Sequence, residues 1–164
     1  MENLKLEHLA PYLPYGLKFI MTSDYTDEFC FEDWDGKEED YKNGAIWQYA
    51  GEIDNDLYIP LSISEGEIGR VFRKESTWIS INNKGIKPIL RPLSDLTKEI
   101  EVNGELLIPT SYLLESTGFE IIDYKDSIDD ISELPYNIIS KLCEWHFDIF
   151  SLLEKKLAID INTL

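Results

Sequence analysis

A change of apolar period near Pro92 constrains the fold of this chain more than any other feature. Before it, short runs of strand-forming residues at 17–21, 45–50, 57–63, 78–81 and 86–90 are punctuated by turn pairs such as Asp35-Gly36, Asn55-Asp56, Glu65-Gly66 and Asn82-Asn83. Phe29, Phe31 and Trp34 extend the pattern to one more strand, and Val71-Phe72 joins the run that ends at 81. Alternation is clearest in Tyr58-Ile59-Pro60-Leu61-Ser62-Ile63, where Pro60, lacking an N–H, calls for an edge or a bulge. After Pro92 the spacing becomes helical. Ser94 is placed to cap a short helix over 93–97. Asn103-Gly104 turns the chain back towards a strand over 106–108, and a helix starting at Pro109 is stopped by Gly118. From Pro135, Ile138, Ile139, Leu142, Cys143, His146, Ile149, Phe150 and Leu153 recur at three- and four-residue steps, with Ser140, Lys141, Glu144, Asp148, Ser151 and Glu154 opposite them.

These patterns predict an α+β fold. It consists of a mainly antiparallel sheet from the N-terminal half, short helices, and one long C-terminal amphipathic helix of some five turns packed on the sheet. At 164 residues, with 43% hydrophobic residues, one domain covering 1–164 can close a core without disulfide or metal staples. Cys30 and Cys143 are too few for a secreted disulfide framework, and the opening MENLKLEHLAPYLPYG lacks the basic start and apolar core of a secretory signal. A reducing cytoplasm is the expected location. No apolar run approaches the roughly 18 residues of a membrane span.

Thirty-two Asp and Glu against fifteen Lys and Arg give a net charge of −17, distributed in blocks. Residues 24–56 hold twelve acids and two Lys, residues 70–98 hold seven cations and two acids, and residues 99–133 hold ten acids and one Lys. Such a surplus repels polyphosphate and disfavours direct nucleic-acid binding. It attracts basic protein surfaces, with an association rate that falls with salt.

Sequence signals for chemistry are weak. Asp33-Trp34-Asp35-Gly36 has the Asp-x-Asp-Gly core of a calcium loop, but the register puts Phe31 and Lys42 where the first and twelfth ligands belong. A hairpin turn fits better. Cys143 and His146 share a helical spacing suited to one metal, yet only Cys30 and His8 remain to complete a soft site, and a core or boundary histidine is the simpler assignment. The chain has no Gly-x-Ser-x-Gly elbow, phosphate-binding loop or dinucleotide fingerprint, so no catalytic residue, metal or cofactor is assigned. Arg70, Arg73, Lys74, Trp78 and Arg91 mix cations with aromatics as a nucleotide or RNA contact would, but ion pairing across the sheet with the flanking acidic blocks is the simpler and favoured reading. Asp33, Trp34, Asp35, Glu38, Glu39 and Asp40 place five carboxylates and one Trp on an expected loop. This is a candidate partner-binding element if Trp34 faces outward, and a solvated loop if Trp34 folds into the core.

Three strings carry a family resemblance: Leu6-Glu7-His8-Leu9-Ala10-Pro11-Tyr12-Leu13-Pro14-Tyr15-Gly16-Leu17-Lys18, Lys87-Pro88-Ile89-Leu90-Arg91-Pro92-Leu93-Ser94-Asp95-Leu96, and the ending that includes Glu144-Trp145-His146-Phe147-Asp148 and Leu157-Ala158-Ile159-Asp160-Ile161-Asn162-Thr163-Leu164. In these the chain resembles a family of small proteins encoded by phages and prophages of Bacteroidetes bacteria. The resemblance brings no catalytic residues. It implies an inhibitor acting in the bacterial host cytoplasm by occupying a basic surface of a defence nuclease, an anti-CRISPR against a type VI-B RNA-guided RNA nuclease being the leading case. The alternative is a phage accessory protein for replication or recombination, or a sponge for a nucleotide immune signal that would use Arg70, Arg73, Trp78 and Arg91.

Overall fold

The alternating runs of the N-terminal half form antiparallel strands in the computed structural model, which describes residues 4–22, 44, 46–49, 58–63, 78–80, 86–124, 128 and 131–164. The chain divides into two units, Met1–Ile89 and Leu90–Leu164. Its content is broadly α+β, with small antiparallel sheets and few helices.

In the first unit, helix α1 (Leu6–Leu9) leads through a 3-10 turn at Leu13–Tyr15, ended by Gly16 at φ 69°, into β1 (Lys18–Met21). The left-handed φ at Gly16 lets its N–H reach back to the Leu13 carbonyl at 3.2 Å, a conformation that glycine adopts without a Cβ penalty. Strands β2 (Ile46–Tyr49), β3 (Tyr58–Ile63), β4 (Trp78–Ser80) and β5 (Ile86–Leu90) follow, arranged β4-β3-β2-β1-β5. All four pairings are antiparallel. Pro60 stands inside β3, an inner strand between β4 and β2 with regular register on both sides, and not on the expected edge strand or at a bulge. The β2 ladder covers Leu61 to Ile63, the β4 ladder covers Tyr58 to Pro60, and Pro60 has a partner on the β4 side only. Leu9, Tyr12, Leu13, Leu17 and Phe19 are buried.

The second unit starts with a 3-10 turn at Leu93–Thr97. Its N-cap is Pro92, not the expected Ser94, and no side chain caps it. Strands β6 (Ile100–Val102) and β7 (Glu105–Leu107) form a hairpin through Asn103 (φ 52°) and Gly104 (φ 84°), the paired positive φ values of a tight turn that Asn-Gly favours. Helix α2 (Pro109–Thr117) has proline in its first turn and ends at Gly118 (φ 73°), whose N–H donates to the Leu114 carbonyl at 2.9 Å. Leu96, Leu113, Ile121, Ile138, Leu142, Phe147 and Leu152 have no exposed surface.

The expected five-turn C-terminal helix is not present. Helix α3 (Tyr136–Glu144) has nine residues and stops at Trp145. At about 100° per residue, a continued helix would carry Phe147 about 180° away from Ile138, onto the solvent side. Phe147 is completely buried. The chain reconciles these demands by leaving the helix: His146 adopts φ 58°, and Phe147 bridges to Arg91 in parallel fashion. The Arg91 N–H donates to the His146 carbonyl at 2.7 Å, and the Asp148 N–H donates to the Arg91 carbonyl at 2.8 Å. Asp148, expected on a solvated helix face, is 5% exposed; its two carboxylate oxygens accept the Leu152 N–H at 2.8 Å and the Leu153 N–H at 2.7 Å. The turns after it include two further left-handed residues, Ser151 (φ 56°) and Lys156 (φ 59°), a costly backbone for non-glycine residues that is held by these bonds and by the buried Ile149 and Leu152.

Candidate functional site

Arg91 is the last but one cation of the basic stretch, and the turn that follows decides what its charge meets. Asp95 lies four residues on, within the 3-10 turn, and is 2% exposed. Lys98 Nζ approaches Asp95 Oδ1 at 2.6 Å, Asn162 Nδ2 donates to Oδ2 at 2.8 Å, and Arg91 Nη1 lies 3.7 Å from Oδ2. Burial raises the Asp95 pKa, but the hydrogen bonds from Lys98 and Asn162, with the charges of Lys98 and Arg91, outweigh it and hold the carboxyl below its ordinary value. Arg91 is displaced the other way: burial lowers its pKa against the opposing pull of Asp95 and Asp160. One buried carboxylate thus faces two of the seven cations of residues 70–98. An anionic ligand at Arg91 would compete with Asp95 for the guanidinium.

Asp33, Trp34, Asp35, Glu38, Glu39 and Asp40 lie outside the described residues, as do Arg70, Arg73, Lys74, the Phe29–Phe31 strand and the Val71-Phe72 run. Trp78 begins β4, in register with Pro60. Of the sequence-derived contacts, Arg91 alone has a described side chain.

Cys143 is buried, and burial pushes its thiol up to about 12, so the sulfur is protonated at neutral pH and unsuited as a nucleophile. His146, its expected neighbour on a helix, stands after the helix end. Among the described residues no group of three or more His, Cys, Asp or Glu is placed to hold a metal ion, and no helix is long and apolar enough to cross a membrane. A cavity of about 210 Å³ lined by Pro92, Leu93, Ser94, Asp148, Ser151, Leu153 and Glu154 is smaller than typical ligand sites, and both Asp148 oxygens on its wall already accept backbone N–H groups.

Surface chemistry is concentrated on the hairpin, α2 and the segment after it. Residues 99–124 contain Glu99, Glu101, Glu105, Glu115, Glu120 and Asp123, all exposed, and no Lys or Arg. On the same elements Leu106 is 65% exposed, Leu114 49%, Ile108 40% and Tyr112 39%. Helix α2 buries only Pro109 and Leu113, one turn apart, and leaves the rest of its circumference outward. Tyr112 makes an edge-to-face contact with Trp145, at 5.4 Å between centroids and 78° between planes. Lys141 Nζ lies 6.0 Å from both rings and 2.8 Å from the Glu144 carboxylate.

Sequence reasoning did not single out these apolar residues. Their signal was available in the spacing: Tyr112 and Leu114 are two residues apart, about 200° around a helix, so both cannot join the stripe of Leu113. Asp95 was also legible in principle, standing four residues after Arg91 and three before Lys98. Compared with protein-family models, curated proteins and solved structures, the chain matches none.

Proposed function

We propose that this chain is a non-catalytic acidic inhibitor that binds a basic surface of a partner protein, the favoured partner being a host-defence nuclease of the RNA-guided, RNA-cleaving kind. The observation that carries the reading is the run of six exposed carboxylates across residues 99–124 with no cation among them. Like charges held this densely cost self-repulsion in the free protein, and a basic partner relieves it. Such a surface raises the rate of encounter with Lys- and Arg-lined channels, where a nuclease holds its guide or substrate, and it repels nucleic acid itself. Inhibition by occupancy requires no catalytic group. The resemblance to phage-encoded proteins supplies the choice of a defence nuclease among basic partners.

The test is co-purification with a panel of RNA-guided nucleases from Bacteroidetes hosts, each with and without guide RNA. The expected result is retention of at least one effector at ~0.05 M salt, weakened at ~0.5 M as the screening length shrinks to a few ångströms, together with loss of its RNA cleavage. Retention of none of them at low salt overturns the proposal.

A further inference from the structure

Leu106, Ile108 and Tyr112 of the second unit are large apolar residues left exposed. Leu106 and Ile108 are two apart in extended backbone, β7 running into Ile108 at φ −101° and ψ 114°, so they share a face. Tyr112 stands one helical turn beyond Ile108, and its N–H donates to the Ile108 carbonyl at 3.0 Å. Glu101 is directly opposite Leu106 across the hairpin, and Glu115 follows Tyr112 by three residues on α2. Leu106, Ile108 and Tyr112 thus follow one another as an exposed apolar ridge, with Glu101 and Glu115 near its two ends and the Lys141 ammonium, itself paired with Glu144, 6.0 Å from the Tyr112 ring.

We propose that this ridge is the docking surface, and that its occupant is a segment of the partner protein presenting Leu- or Phe-type side chains between Lys and Arg. The inference rests on the basic-partner reading above and adds where contact is made and what it contains besides charge. Charge complementarity selects the occupant. A second copy of the chain, docked by two-fold symmetry about the middle of the ridge, would set the Glu101 end of each copy against the Glu115 end of the other, and anionic lipid or nucleic acid would meet the same repulsion. A purely basic segment would leave the ridge in water. Tyr112, already packed against Trp145, loses little freedom on binding, as suits the aromatic anchor of an interface.

The probe is a synthetic amphipathic helix of about 14 residues built from Leu and Lys, compared with a Ser and Lys peptide of equal charge. Binding of each to the full chain is measured by fluorescence anisotropy at low salt. The Leu/Lys peptide is expected to bind at least about tenfold more tightly than the Ser/Lys peptide. The double variant Leu106→Ser, Tyr112→Ala is expected to erase that preference, while Leu114→Ser, on the other side of α2, retains it. Far-UV circular dichroism checks the fold. Should the double variant misfold, Glu101→Lys with Glu115→Lys takes its place, with an expected loss of at least about tenfold in affinity for the Leu/Lys peptide. Equal affinity for both peptides, or unchanged binding by the ridge variants, overturns the ridge and leaves the basic-partner reading standing. Failure of the wild-type chain to bind either peptide removes both. Sedimentation showing a wild-type dimer that becomes a monomer in the ridge variants would assign the ridge to a second copy and overturn the proposal.

Discussion

Replacing Asp148 with Ala tests the least expected part of the fold, because two conformations of the C-terminal region give effects of opposite sign. In the structure the Asp148 carboxylate is 5% exposed and accepts the Leu152 and Leu153 N–H groups at 2.8 and 2.7 Å. Hydrogen bonds to a charged acceptor each contribute about 1.5–3 kcal/mol net, and removing the acceptor also leaves the buried Leu152 N–H without its partner. Because the two bonds share one carboxylate their losses are not fully additive, so Asp148→Ala is expected to cost about 3–5 kcal/mol. Asp148→Asn, which keeps one carbonyl acceptor but no charge, should cost about half of that. Were residues 136–153 one amphipathic helix, Asp148 would stand on its solvated side and Ala, the better helix former, would stabilise the chain by a few tenths of a kcal/mol. Urea unfolding followed by tryptophan fluorescence and circular dichroism reads the difference. At a slope of about 2 kcal/mol/M the midpoint should fall by about 1.5–2.5 M for Ala, whereas Glu154→Ala, at an exposed site, should leave stability within about 0.5 kcal/mol. A midpoint for Asp148→Ala equal to or above that of the wild type would refute the carboxylate clamp and the broken helix with it.

Asp95 predicts an acid dependence. Its folded pKa lies below the ordinary value of 3.8, so its contribution is fully present above that value and is lost as pH falls through the folded pKa. Asp95→Asn should cost about 1–3 kcal/mol at neutral pH, because Lys98 and Arg91 lose their counter-charge and one of the two oxygens that accept from Lys98 and Asn162 becomes an NH2 donor. It should also flatten the fall of the urea midpoint below about pH 4, and an unchanged acid limb would refute the assignment. Gly118→Ala should cost about 1–2 kcal/mol from backbone strain alone, since φ is +73° and no atom lies within 4 Å of the added Cβ. Gly118→Asn should cost less than Gly118→Ala, and thermal unfolding that ranks Ala at or above glycine would refute the left-handed cap.

Local chemistry was legible in the sequence wherever a residue's own backbone preference settles the matter. Asn103-Gly104 specifies the hairpin, and Pro109 and Gly118 bracket α2, whereas Pro60 points to an edge and stands in the inner strand β3. The long C-terminal helix does not form because one large apolar residue falls outside its stripe. Ile138, Leu142, Ile149 and Leu153 fit the helical period, but Phe147 does not, and a buried phenylalanine outweighs one or two turns of helical hydrogen bonds when the freed groups find partners elsewhere. They do so here, in the Arg91 backbone and the Asp148 carboxylate. The same reasoning applies to charge. Counting residues 70–98 as one basic block treats Asp95 as a deduction from a total, whereas the fold makes it the buried group on which Lys98 and Asn162 converge and which Arg91 faces. The acids of residues 99–124 have the opposite fate: with no cation in the segment they stay exposed, and beside them the hairpin and α2 leave Leu106, Ile108 and Tyr112 uncovered. Sequence distance therefore separates two acidic environments of different consequence, a buried aspartate that holds the chain's own cations and a surface that leaves carboxylates and apolar side chains open to the cations of another protein.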